Sequence, residues 1–293
     1  MTSIAHDTQL IGGHAGWSDK NRGKFYLFWA GIGGVLLIAM ACTIGASQSN
    51  YAPNDQGDLT AERYLPPSWE HPFGTDKFSR DVFSRVLYGG RISLSIAFSV
   101  VLLTLTLGIM YGSVSGYLGG TTDAVMMRSL DFLLAFPAVF LIIMLVAVFD
   151  MNHWYLIPIL ALTGWMESAR LVRAEVLSLK EREFILAART LGFGHARILF
   201  KHIIPNSMTP VLVAATFKIG EVILLESALS FLGIGIQPPA ASWGNIISDG
   251  RDVLFRAWWI ATCPGFFIVL TVLSTNLIAE GLRGLLSLDR SGS

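Results

Sequence analysis

Lys218, Glu221 and Glu226 interrupt the otherwise apolar run VLVAATFKIGEVILLESALSF, residues 211–231. A charge so deep in an apolar stretch is costly unless it faces a bundle interior, a cavity or a partner of opposite sign. Lys218 and Glu221 are three residues apart, on one face of a helix, and can neutralise one another. Two roles stay open for the set: a self-satisfied group holding helices in register, or a polar strip lining a solute path that Lys218 or Glu221 faces. Arg128 and Asp131 repeat the spacing, and there a simple ion pair near a helix end is expected.

Other reactive groups point to no reaction of the chain's own. His6, His14, His71, His153, His195 and His202 fall at tails and loops, and no H-E-x-x-H or G-x-x-x-x-G-K-[ST] occurs. GFGHAR at Gly192 lacks both the G-x-G-x-x-G spacing and a preceding strand. Cys42 and Cys263 sit in separate apolar runs and read as packing residues. The expectation is no catalytic residue, no metal and no cofactor in this chain. A formal net charge of +0 gives no basic excess for nucleic acid.

The elements that must position these charges are membrane helices. Hydrophobic residues make up 53% and charged residues 14%, about half the charge of a soluble domain. Runs long enough to span a bilayer are Phe25–Gly45, Ile92–Val114, Ala124–Phe149, Trp154–Val176, Val211–Ile234 and Trp258–Ile278, predicting six transmembrane helices. The first follows a polar tail and is too long for a signal core, so it reads as an uncleaved span. GYLGGTTD, residues 116–123, is a turn. Gly108, Gly112 and Gly116 recur every fourth residue and form a face for close helix packing. The glycines at 31, 33, 34, 233 and 235 are read in the same way.

Lys20, Arg22 and Lys24 before the first run place the N-terminus in the cytoplasm. Alternation then puts Arg170, Arg173, Lys180, Arg182, Arg189, Arg197 and Lys201, with Arg283 and Arg290, on the same side, where the rule wants them. The segments 46–90 and 236–257 face outward.

Between the fourth and fifth runs lies EFILAARTLGFGHARILFKHIIPN, residues 183–206. Phe184, Leu186 or Ala187, and Leu191 share one side of a short helix, and Ala187 and Ala188 offer a low-bulk surface for close packing. Gly192 suits a left-handed cap. A second short helix carries Arg197 and Lys201, and Pro205 marks the entry to the fifth span. Without further context this is a basic interfacial loop meeting lipid headgroups.

The spacing from Ala187-Ala188 through Gly192 to Pro205 resembles the EAA loop of binding-protein-dependent ABC importer permeases, with Leu186 in place of the usual glutamate and Glu183 one turn earlier. HPFGTDKFSRDVFSRVLYGGRISL and ESALSFLGIGIQPPAASWGNIISDGR are similar to stretches of the C-type permease of dipeptide, oligopeptide and nickel importers, with Ser79 where a glycine is common. The resemblance implies an all-α type I importer permease with a cytoplasmic coupling loop, residues 177–206, between helices four and five. The implied layout is a tail 1–24, a first helix 25–45, an external segment 46–90, a core 91–284 and a tail 285–293.

Implied partners are a second permease subunit, two cytoplasmic ATPase subunits that bind the ATP and magnesium, and an external substrate-binding protein, in a bacterial plasma (inner) membrane with both termini cytoplasmic. Glu183, Ala187, Ala188, Gly192 and Pro205 become coupling residues. Lys218, Glu221 and Glu226 become path candidates. Asp76, Arg80, Asp81, Arg85 and Trp243 become candidates for docking the binding protein, while the amphipathic SRDVFSRVLYGGR could equally lie among headgroups. The implied cargo is a dipeptide or oligopeptide, with nickel or a glutathione-like solute on the same architecture. A secondary carrier is the competing class, and it would show broken helices at matching places in inverted repeats.

Overall fold

The computed structural model describes residues 15–148 and 153–289. His6, His14, Phe149, Arg290 and the rest of residues 1–14, 149–152 and 290–293 lie outside them. Helix α1 (Ala15–Met40) continues through a π-helical turn, Ala41–Gly45, to Gln48. An irregular segment leads to α2 (Val82–Leu118), which turns tightly into α3 (Gly120–Leu134) and α4 (Ala138–Val148). Then come α5 (Leu156–Lys180), the short α6 (Glu183–Thr190) and α7 (His195–Ile198), and α8 (Ile204–Phe231). The outer helix α9 (Trp243–Gly250) precedes α10 (Trp259–Asp289).

Helix α2 is longer than the apolar run predicted. It starts at Val82, where Asp81 caps it by accepting from the Ser84 amide at 2.7 Å, so Val82–Arg91 are its first turns and not a separate surface helix. Gly119 and Gly120, both at positive φ, make the turn that reverses the chain. The third run is not one rod, because α3 and α4 meet at a 75° bend across Ala135–Pro137. Pro137 has no amide hydrogen and disfavours helical backbone before it. This is the one bent pair among the described residues.

Among the described residues four helices are long and apolar enough to cross a membrane, and the bent pair, taken as one span, is a fifth. Helix α5 is less apolar because it carries Glu167, Arg170, Arg173 and Glu175. We count it as the sixth crossing because it runs beside α2 in the same direction. There the predicted glycine face is used: a Cβ on Gly108 would stand 2.6 Å from Ser168 Cβ, and one on Gly116 3.0 Å from the Arg173 carbonyl. Larger residues would push the backbones apart.

Helices α1 and α10 pack antiparallel, Gly31 against Ser274 and Gly281 against Phe28. Helix α8 runs antiparallel to α2, with Glu226 beside Ser93. The start of α1, the end of α2, the α6–α7 hairpin and the end of α10 therefore share one end of the bundle. The main core joins all the long helices except α3 around Ile96, Leu160, Ile223, Trp243 and Ile260.

Candidate functional site

Three places gather polar chemistry, and they differ in how open they are. Midway along α8, Lys218 Nζ donates to Glu221 Oε1 at 3.0 Å and to Glu167 Oε2 of α5 at 3.0 Å. The pairing of Lys218 with Glu221 follows the spacing. Glu167 was missed by sequence reasoning, although its position inside a predicted span was signal enough. The lysine side chain is 14% exposed, whereas the carboxylates are 69% and 60% exposed. All three line a cavity of about 620 Å³ formed by α2, α5, α8 and α10, with Leu105, Pro210, Phe217 and Arg283 among its walls. Arg283 lies 5.5 Å from the Phe217 ring centroid and 3.8 Å from Glu280.

Glu226 does not face this cavity. It is fully buried, and Ser93 and Ser230 donate their hydroxyls to its two oxygens at 3.0 and 2.8 Å. The path assignment for Glu226 is therefore corrected: two turns beyond Lys218, the helix turns that residue into the α2–α8 contact. Asp131 likewise pairs not with Arg128 but with Arg170 of α5, and Asp123 is held by Nε and Nη2 of Arg173. Both acids thus find their partners on the facing helix α5, Arg173 gripping Asp123 with two nitrogens and Arg170 meeting Asp131 with one.

The second place is the α6–α7 hairpin. Gly192 sits at φ +79°, its amide bonds the Arg189 carbonyl at 2.9 Å and the Phe193 amide bonds the Ala188 carbonyl at 3.1 Å, the paired bonds of a Schellman cap. Ile185, Ala188, Ile198 and Ile203 are buried against Tyr117, Val172 and Val176 of the bundle. Ala188 thus belongs to the hairpin's root, a correction to its reading as outer surface, while Glu183, Phe184, Leu186, Ala187 and Leu191 point outward. Tyr117 at the end of α2 hydrogen-bonds His195 at 2.9 Å, a link not foreseen from sequence. The second short helix is continuous with α8: a π-helical turn, Leu199–Ile203, joins them, and Pro205, which has no amide hydrogen to give, follows directly on that turn, where the regular ladder is already interrupted.

The third place is the outer segment, and here the docking candidates are overturned. Asp76, Arg80, Asp81, Arg85 and Trp243 are 1%, 6%, 3%, 1% and 0% exposed. Asp76 accepts from the Phe78 and Arg80 amides at 2.8 and 3.0 Å and from Arg80 Nε at 2.7 Å. Asp249 of α9 closes the cluster, 3.2 Å from Arg80, 3.7 Å from Arg85 and 2.8 Å from Lys77. Asp81 is 3.0 Å from His71 Nδ1. The Trp243 indole donates to the Val86 carbonyl at 3.0 Å. Charges that neutralise one another can be buried, so these residues fasten the outer segment to α2 and α9, although Arg85 Nε is left without a hydrogen-bond acceptor. Among the described residues no group of three His, Cys, Asp or Glu is placed to hold a metal.

The model of the family described as "Binding-protein-dependent transport system inner membrane component" matches residues 92–290. The chain is 40% identical over 249 residues to the oligopeptide transport system permease protein OppC of Bacillus subtilis (strain 168), covering 85% of this chain and 81% of the relative. It is 39% identical over 268 residues to the dipeptide transport system permease protein DppC of the same organism, covering 91% and 82%. It is 41% identical over 248 residues to the dipeptide transport system permease protein DppC of Alkalihalophilus pseudofirmus, covering 85% and 80%.

Proposed function

We propose, from the premise that this chain belongs to the family of binding-protein-dependent transport system inner membrane components, that it forms one wall of an ATP-driven import path for peptides. It is a multi-pass permease subunit and not itself an enzyme. Force from two separate ATPase subunits enters through the α6–α7 hairpin, a second permease completes the path, and an external binding protein delivers the solute. The hairpin end faces the cytoplasm, so both termini do. Lys218 and Glu221, with Glu167, line the path.

The observation that carries this reading is the build of the hairpin. Its root is packed into the bundle between α2, α5 and α8, while Phe184, Leu186 and Leu191 stand 45%, 48% and 73% exposed at its tip. A rigid root with an unpartnered apolar tip is what a lever gripped by another protein needs, and flanking Glu183, Arg189 and Arg197 can orient the grip.

Place a photo-crosslinking residue at Leu191 in native membranes and identify what is captured. An ATPase subunit should be covalently trapped. In parallel, Gly192→Leu, which cannot hold φ +79° without strain, should lower ATP-dependent uptake of dialanine. Absence of a trapped ATPase together with normal uptake by the variant would refute the lever.

A further inference from the structure

We infer that the cavity beside Lys218 recognises the zwitterionic backbone of a short peptide, its free ammonium held by Glu167 and Glu221 and its carboxylate by Arg283. The inference rests on the peptide-import reading and adds the groups that select the cargo.

Three observations converge. The first is charge distribution. Lys218 is nearly covered and spends its ammonium bridging two carboxylates, so it keeps both acids in place without exhausting them; each side chain still leaves more than half of its surface exposed. A carboxylate has about four lone-pair sites, and one lysine contact fills one of them. The second is the opposite pole. Arg283 enters the same cavity from α10, anchored over Phe217 and loosely paired with Glu280 at 3.8 Å, so its fork has donors to spare. With Glu167, Glu221, Lys218 and Arg283 the lining is neutral overall, but Lys218 lies inside the acidic group, which keeps a net charge of −1, and Arg283 stands apart from it with +1. A neutral solute with its own separated charges matches it, whereas a net anion or cation would leave one charge without a counterpart in the lining.

The third is size and lining. About 620 Å³ lies within the range of roughly 300–1,000 Å³ typical of small-molecule sites. Between the poles the walls are Leu105, Leu171, Val213 and Phe217, which give side chains of any peptide a featureless apolar surface. Specificity would then fall on the charged backbone ends, common to all short peptides, and not on sequence. Because Lys218 already draws on both acids, the gain from a second ammonium is small, so the site is weak and releases cargo readily.

The test uses the assembled permease pair with its ATPases in lipid nanodiscs, without binding protein, and saturation-transfer NMR with dialanine, N-acetyl-dialanine and dialanine amide. Dialanine should saturate more strongly than either capped form. The double variant Glu167→Gln, Glu221→Gln should weaken dialanine binding about tenfold, the size of one charged hydrogen bond, while leaving N-acetyl-dialanine unchanged. Arg283→Gln should abolish the distinction between dialanine and its amide. Glu221→Asp, which keeps the charge, should retain the preference for the free amine. Since a folding defect would depress all three peptides alike, the ratio is the readout. Equal signals from the three peptides, no binding at about 10 mM, or an unchanged ratio in the double variant would overturn the inference. If the complete complex with its binding protein also fails to accumulate dialanine in ATP-loaded liposomes, the import reading falls with it; if accumulation is normal, only the recognition site does.

Discussion

Two ion networks of similar composition stand at different depths in this molecule, and they have opposite characters. The outer one, Asp76, Arg80, Arg85 and Asp249, is almost wholly shut from solvent except for Asp249, whose side chain is 19% exposed. Its Asp76 carboxylate accepts from two backbone amides as well as from a guanidinium. The inner one, Glu167, Lys218 and Glu221, has a covered cation and open carboxylates. The difference teaches that an ion pair's role is read from which partner remains accessible. A closed network fixes a shape, and losing one member leaves an unpaired buried charge. An open one can trade a contact with a passing solute.

Breaking the outer network should have the largest effect. Asp76→Asn leaves Arg80 and Arg85 buried with half their counter-charge, and a loss on the order of 3–5 kcal/mol is expected. Thermal unfolding of the purified protein, or loss of membrane accumulation, would show it. If Asp76→Asn is as stable as the parent, the outer cluster is not the fastening described.

Lys218→Met should act the other way round. The two acids are mostly hydrated, so stability should change little, but their shared counter-ion is gone and the cavity becomes net negative. Uptake of a neutral peptide should fall about tenfold, equivalent to ~1.4 kcal/mol, in a liposome assay with protein amounts matched. A large drop in melting temperature would move this trio into the same class as the outer cluster.

Glu226→Gln sharpens the division further. The residue is buried between Ser93 and Ser230, whose hydroxyls can accept from an amide as well as donate to an oxygen. Stability should shift by no more than about 1 kcal/mol, with uptake retained. Strong loss of uptake at unchanged stability would return Glu226 to the path.

Ser79→Gly is the smallest test. Ser79 holds φ +58°, in the left-handed region, and its hydroxyl donates to the Asp58 carbonyl at 3.0 Å. Glycine would relieve strain but lose that bond, so Ser79→Gly should be neutral within about 1 kcal/mol, whereas Ser79→Val should destabilise by about 2 kcal/mol. Next to it, three donors from Thr60 and Ala61 hold the Asp58 carboxyl below its ordinary range. A depressed carboxyl stabilises the fold above its unfolded pKa and loses that contribution as pH falls through the folded value. The turn at residues 58–61 should therefore loosen only in acid, which hydrogen exchange of the Thr60 amide would report.

Much of the architecture was legible in the chain. Hydropathy announced a membrane protein, and the positions of the helices followed from runs of apolar residues. Gly108, Gly112 and Gly116 pack against α5 as their spacing suggested. The Gly192 cap and the Lys218–Glu221 pair were equally readable, because each depends on residues within one turn of one another. The bend at Pro137 was signalled by a proline but masked by the apolar run around it.

What the sequence by itself determined, then, was everything governed by local periodicity and solvent preference: membrane residence, the helices, the hairpin and its cap. What only the tertiary structure decided was which charges are covered and which are open. Arg80 meets Asp249 across 169 positions and Lys218 meets Glu167 across 51. No local pattern encodes such partners, so Asp76, Arg85 and Trp243 looked like outward-facing docking groups when they are in fact interior. Burial of a charge is stable only when a distant opposite charge arrives with it, and that arrival is a property of the folded chain.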